Sequence, residues 1–231
     1  MIKAYSAQQL RDTELPHLAA GEPLMARAAA GLADEIRRQF PAGDSSRAGV
    51  VLLLVGSGNN GADALWAGAE LAAGGASVMI VQTSDRVDEA ALTAATAAGA
   101  TRQDAERAAE LASISDVVVD GILGTGTSAN PALRGRARAI VQAVMGAVDN
   151  ARVVAVDIPS GIGVDDGNAP DAIVLAADVT TTFGGYKAGL LIAPGSILAG
   201  RVRLIDIGLT PDLERLEPLL EVSTGDERYH D

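Results

Sequence analysis

The segment Val50-Val51-Leu52-Leu53-Leu54-Val55 constrains this chain more than any other. Six consecutive aliphatic residues without polar alternation need apolar cover on both sides, so the run predicts a strand inside a sheet sandwiched between helical layers. Gly56-Ser57-Gly58 ends it, and helical spacing follows from about Asn60 to Ala73. The strand Ser77–Val81 and Ala-rich helices between Asp88 and Ser113 come next. The same alternation then repeats: a strand Asp116–Asp120 running into a Gly/Thr loop, a helix Ala132–Val148 and a strand Arg152–Val156. Such repetition predicts an α/β fold, a three-layer αβα Rossmann-like doubly wound and mostly parallel sheet. Ser6–Leu15 and Gly21–Phe40 form an N-terminal helical flank, the second with Leu24, Met25, Ala28, Leu32 and Ile36 on one face. Beyond Gly161 the chain turns loop-rich, with further strands at Asp178–Phe183 and Gly200–Asp206 and a polar end from Gly225 to Asp231. No repeat, low-complexity block or linker interrupts it, so residues 1–231 read as a single domain.

Composition narrows the classes of partner. The 231 residues are 48% hydrophobic but only 3% aromatic, which suits aliphatic strands under Ala-rich helices and gives few rings for stacking on nucleic-acid bases. A net charge of -12 without any Lys/Arg-rich run argues against nucleic acid. It does not exclude a dinucleotide, since one helix N-terminus and a few backbone N–H groups can hold a pyrophosphate. With no cysteine, disulfides, thiolate nucleophiles and Cys-based metal sites are excluded. The N-terminus lacks a signal-peptide pattern and the apolar runs are too short to span a bilayer, so the chain is expected to be soluble, unexported and cytoplasmic, with no membrane partner.

Ligands of open parallel sheets bind outside the carboxyl ends of the strands. The strand ends here are polar: Gly56-Ser57-Gly58-Asn59-Asn60-Gly61-Ala62-Asp63, Asp120-Gly121-Ile122-Leu123-Gly124-Thr125-Gly126 and Asp157-Ile158-Pro159-Ser160-Gly161. Gly56, Gly58 and Gly61 formally satisfy G-x-G-x-x-G, but Val81 is followed by Gln82-Thr83-Ser84 where a dehydrogenase places an acid for the ribose hydroxyls. His17 in the helical flank and His230 in the tail are poorly placed for hydride chemistry. Asn60 and Asp63 fit an N-cap and an acidic first turn, worth roughly 1 kcal/mol. Two Asn between glycines exceed what a cap requires. Asp120 and Asp157 have a bland reading as loop caps, yet two strand-end Asp beside a Gly/Thr loop favour a site.

Taken together, Gly58–Asp63, Val119–Gly126, Asp157–Gly161, Thr182-Phe183 and Lys187-Ala188-Gly189-Leu190 resemble the NAD(P)H-hydrate epimerase, or YjeF N-terminal, family. Gly21-Glu22-Pro23-Leu24-Met25 and Asp206-Ile207-Gly208-Leu209 fit as well, and the motifs run in family order over nearly the whole chain. The resemblance implies that Asn59, Asn60, Gly61, Ala62 and Asp63 line a dinucleotide site. By the same resemblance Gly124, Thr125, Gly126, Thr127, Ser128, Ala129 and Asn130 receive its phosphates, and Asp157 faces the nicotinamide ring. It also implies a potassium ion held by Asn60, Asp120 and Ser160, a set of hard oxygen donors, and a catalytic Lys187 acting with Asp157. A solvated lysine at a strand end is the plain alternative for Lys187. Ala62 and Ala64 replace two glycines of the usual family motif, so their methyls stand to crowd a ligand unless both residues are helical.

The reaction implied is interconversion of the R and S C6-hydroxyl epimers of hydrated NADH and NADPH, a nicotinamide nucleotide repair step. Asp157 would protonate the departing hydroxyl; a ring-opened aldehyde route would use the same acid/base. Implied partners are the hydrates themselves, a second copy in a homodimer and a separate nucleotide-dependent dehydratase. Two rivals remain, a non-catalytic dinucleotide-binding or scaffold domain on the same fold and an oxidoreductase.

Overall fold

In the computed structural model, which describes residues 1–41, 48–126, 130–223 and 225–229, the predicted alternation is present. In chain order the regular elements are β1 (Ile2–Tyr5), α1 (Ala7–Ala19), α2 (Leu24–Arg38), β2 (Val50–Val55), α3 (Asn59–Ala73), β3 (Ser77–Gln82), α4 (Glu89–Ala97) and β4 (Thr101–Gln103). They continue with α5 (Ala108–Ile114), β5 (Val117–Gly121), α6 (Gly135–Met145), β6 (Arg152–Val156), β7 (Val179–Phe183) and β8 (Tyr186–Lys187). The last are α7 (Gly195–Leu198), β9 (Arg201–Ile205), α8 (Thr210–Leu213) and β10 (Leu220–Val222).

Seven strands form one sheet in the order β4-β3-β2-β5-β6-β7-β9, and every neighbouring pair is parallel. Alternate residues of the unbroken apolar runs serve opposite layers. Val51, Leu53 and Val55 pack with α2, α3 and α4 residues such as Leu32, Ile36, Leu65, Leu71 and Leu92. Leu52 and Leu54 pack with Leu111 of α5 and Ile140, Val141 and Val144 of α6. This double cover is why the strands carry no polar alternation. Under the first layer the buried Glu35 carboxylate receives Arg38 at 3.1 Å and Arg201 at 2.9 Å, tying α2 to the edge strand β9.

A small second sheet, order β10-β1-β8, departs from the sequence reading. Ile2–Tyr5 join it as β1, which pairs antiparallel with β10 and parallel with β8. These strands are two to four residues long, too short for period-two alternation to register, and their partners lie far away in sequence. The stretch between Asp88 and Ser113, expected to hold Ala-rich helices, also contains β4, three residues on the sheet edge. The helix expected over Ala132–Val148 is confined to Gly135–Met145. No helix among the described residues is long and apolar enough to cross a membrane.

Helix α1 is held by a capping box between Ser6 and Gln9, and its Ala7 N–H donates to Asp165 Oδ1 at 2.7 Å. His17 near its end bonds Glu22 at 2.8 Å and Asp212 at 3.0 Å, a structural clasp that raises the imidazole pKa through both carboxylates. These ties lay α1 across the carboxyl edge of the main sheet.

Leu53 is fully buried, and its side chain meets Gly68 of α3. Leu53→Ala is expected to cost about 2–5 kcal/mol as a lower urea midpoint, whereas Ile197→Ala, 69% exposed, should stay within about 0.5 kcal/mol of the parent.

Candidate functional site

The chain runs outward from β2 to β3 and β4, then returns to place β5 on the other side of β2. This is a topological switch point, where the segments leaving two adjacent strands diverge and open a crevice. Register aligns what stands there: Asp120 lies level with Leu54 on one side and Ala155 on the other, and Asp157 follows Ala155 by two residues.

The tight turn from β2 into α3 depends on two glycines. A Cβ on Gly56 would overlap the Ile122 carbonyl, and one on Gly61 would overlap the Gly56 carbonyl. The first and third glycines of the dinucleotide-like fingerprint thus serve backbone-to-backbone packing, while Gly58 faces open space. Gly58 is the N-cap of α3, with no side-chain capping bond. Asn59 and Asn60 are its first two helical residues, so the capping alternative for Asn60 does not hold. The Asn60 amide instead donates to the carbonyls of Leu123 at 3.0 Å and Val156 at 2.5 Å, joining the loop after β5 to the end of β6.

Below this bridge Asp120 is completely buried. Its carboxylate accepts from Ser160 N–H at 2.8 Å, Ser160 Oγ at 2.7 Å and Ile122 N–H at 3.3 Å. Burial raises its pKa while the Ser160 and Ile122 hydrogen bonds lower it. No Lys, Arg or His pairs with it among the described residues.

Asp157 stands at φ 68°, the left-handed region, and is the one non-glycine residue there among those described. Holding a side-chain-bearing residue in such a conformation costs on the order of 1–3 kcal/mol. Its N–H donates to Thr181 O at 2.7 Å, and its Oδ1 accepts from Thr182 Oγ1 and Phe183 N–H, each at 3.3 Å. Lys187 Nζ forms an ion pair with the same oxygen and donates to Phe183 O at 2.9 Å. Lys187 is 3% exposed, which rules out the solvated strand-end alternative. Pairing of β8 with β1 in the small sheet fixes the backbone from which it reaches inward.

A cleft with about 660 Å³ of empty space, open solvent at its mouth included, covers these groups. Asn59, Asn60, Asp63, Thr125, Asp157 and Lys187 line it, roofed by Leu10, Arg11, Glu14 and Leu18 of α1 and by Leu24, Met25 and Ala28 of α2. Asp63 is 6% exposed and accepts no hydrogen bond among the described residues. Desolvation pushes its carboxyl up to about 8, helped by the charges of Asp157 and Glu14 and opposed by Lys187. Glu14 is raised as well, chiefly by burial.

The structure gathers Asn59, Asn60, Asp63, Thr125, Asp157 and Lys187 around one opening, with Asp120 and Ser160 directly behind it. Gly61 and Ala62 do not line it: Gly61 sits against the β2 turn and Ala62 belongs to the core. Ala62 and Ala64 are both helical and buried in α3, so their methyls fill core space. Gly124 packs on the Asn60 amide. Gly126 has open space where a side chain would stand, and Asn130 is exposed, its Oδ1 accepting from Ala132 N–H at 3.0 Å. Thr127, Ser128 and Ala129 lie outside the described residues. Arg11 and Glu14 were missed. The signal available was the face of α1 carrying Leu10, Arg11, Glu14 and Leu18 at helical spacing, polar residues set within an apolar stripe.

A sequence profile described as YjeF-related protein N-terminus matches residues 21–189, most of the chain and every strand-tip residue of the cleft. The chain belongs to the YjeF N-terminal family. A protein of Clavibacter sepedonicus named NAD(P)H-hydrate epimerase is 50% identical over 222 residues, 93% of each chain. A bifunctional NAD(P)H-hydrate repair enzyme of Mycobacterium tuberculosis is 41% identical over 209 residues, covering 89% of this chain and 41% of that protein. A solved yeast structure shares the fold at a TM-score of 0.71 with 20% identity, over 87% of this chain and 89% of the yeast chain. Within the YjeF N-terminal match fall Asn60, Asp63, Asp120, Asp157, Ser160 and Lys187, whereas Arg11 and Glu14 precede it.

Lys187→Met should destabilise the fold by about 3–5 kcal/mol, because it strands a buried carboxylate. The double variant Lys187→Met/Asp157→Asn should recover most of that loss, as read from denaturant midpoints in a double-mutant cycle.

Proposed function

We propose that this chain is an isomerase that interconverts the R and S C6-hydroxyl epimers of hydrated NADH and NADPH. The observation that carries the reading is the buried Asp157–Lys187 pair at a strained strand tip, opening into the cleft of a YjeF N-terminal fold. Family membership and the name of the half-identical Clavibacter relative support it.

The hydrated nicotinamide ring enters the cleft with its C6 oxygen near Asp157, whose carboxyl oxygens move a proton at that atom. Lys187 fixes the carboxylate and supplies the compensating charge. The uncapped start of α3 offers free N–H groups, and together with the loop from Gly124 to Asn130 these receive the phosphates. Apolar residues of α1 and α2 roof the ring.

The donor set behind the cleft fits a potassium ion. Asp120 is a fully buried carboxylate without a cationic side-chain partner among the described residues, and Ser160 Oγ lies 2.7 Å from it. Asn60, Asp120 and Ser160 would hold the ion, which would supply positive charge beneath the substrate and neutralise Asp120. The reading further includes a homodimer, for which the apolar face of Met25, Ala26, Ala29, Ala30 and Trp66 is available, action in the cytoplasm, and a functional link to a nucleotide-dependent dehydratase. That link is in keeping with the bifunctional name of the mycobacterial relative.

Equilibration of a purified single epimer, followed by chromatography, tests the activity: the protein should accelerate it, and Asp157→Asn should slow it by roughly 10²-fold or more. Wild-type-like turnover of that variant would remove Asp157 from the chemistry. Potassium chloride should raise the melting temperature more than tetramethylammonium chloride at equal ionic strength, and Asp120→Asn should abolish the difference.

A further inference from the structure

We propose that Asp63 is a second catalytic carboxyl, the proton donor to the departing C6 hydroxyl, while Asp157 accepts the proton of the incoming water. The inference rests on the epimerase reading and divides its acid/base work between two residues. Both carboxyls line the cleft but enter it from different elements, Asp63 from the first turns of α3 and Asp157 from the end of β6. Their surroundings differ in kind. Asp157 is bound by Lys187, Thr182 and the Phe183 N–H, whereas Asp63 is 6% exposed with no hydrogen-bond donor among the described residues.

A carboxyl buried without a donor favours its neutral form. The charged groups around it reinforce this. Asp157 and Glu14 present negative charge, and the one buried ammonium of the cleft, Lys187, is engaged by Asp157. Arg11, on α1 beside Glu14, turns its guanidinium to Thr125 O at 2.8 Å and Gln8. Helix α2 adds only Leu24, Met25 and Ala28. Asp63 is pushed up to about 8, so it carries a proton at neutral pH beside an ion-paired carboxylate. Two carboxyls whose environments separate them in this way can serve as acid and base in one step.

The step balances. The Asp63 proton passes to the C6 oxygen, and the C6–O bond breaks with its electron pair leaving on water. The ring nitrogen lone pair forms the C=N bond of the resulting cation. Water then adds to C6 from the opposite face, the C=N pair returns to nitrogen, and the surplus proton goes to Asp157. The enzyme finishes in the protonation state from which the other epimer reacts backward, and transfer of one proton from Asp157 to Asp63 through water restores the start.

The test uses the full chain and a single NADPH-hydrate epimer over a pH series. Wild-type kcat/KM should fall on the alkaline side with a midpoint near 8. Asp63→Asn should lower the neutral rate by roughly 10²-fold and erase that limb, whereas Glu14→Gln should keep it. Retention of the limb in Asp63→Asn, at whatever rate, overturns the proposal; failure of wild type to accelerate equilibration overturns the epimerase reading instead. Infrared spectroscopy of wild type at neutral pH should show a protonated-carboxyl stretch that is missing in Asp63→Asn, and its absence from wild type also overturns the proposal. The raised folded pKa means that wild-type stability is lost as pH rises from about 4 through about 8. Asp63→Asn, lacking this loss, should melt at or above wild type at alkaline pH, which establishes that it is folded.

Discussion

Lys187 and Asp157 meet where water is nearly excluded, and neither tolerates that position alone. Moving an isolated charge into such a place costs several kcal/mol, so the pair exists only because the surrounding backbone delivers both groups to one point. Asp157 arrives from β6 in a left-handed conformation pinned by bonds to Thr181, Thr182 and Phe183 of β7. Lys187 arrives from β8, whose place is set by pairing with the first residues of the chain. A strained residue persists only where its neighbours over-determine it, and here strands from both sheets do so.

Other features of the cleft follow from that constraint. Because β6 and β7 are parallel and in register, the tip of one can be braced by the backbone of the other. Because β5 lies on the opposite side of β6, Asp120 and Ser160 close the space behind Asp157 with a second buried carboxylate. Asn60 then bridges the loop after β5 and the end of β6. Burial within this arrangement raises the Asp63 carboxyl, and the charges of Asp157 and Glu14 add to the effect.

The closeness of Gly56 and Gly61 to backbone carbonyls explains why a fingerprint shared with dinucleotide-dependent oxidoreductases appears without the rest of their machinery. The same spacing of glycines solves a steric problem, a sharp strand-to-helix turn beside a neighbouring loop. The chemistry is set by what projects from it: asparagine amides and an aspartate in place of a bare pyrophosphate cradle followed by a ribose-binding acid.

The sequence by itself determined the layered parallel sheet, because a strand buried on both faces must be aliphatic throughout and Val50–Val55 has no other use. It also determined that Asp120 and Asp157 stand at the ends of neighbouring strands, with Asn60 shortly beyond the end of a third, since polar residues abruptly closing apolar runs mark the tips. It did not show β1, β4, β8 and β10, whose few residues acquire strand geometry only from partners distant in the chain. Nor did it reveal that Arg11 and Glu14 roof the cleft, that Asp157 takes a left-handed backbone, or that Lys187 is buried. Those depend on how separate elements stack, and the energy that decides them, desolvation against pairing, is fixed only when the chain has closed around the charge.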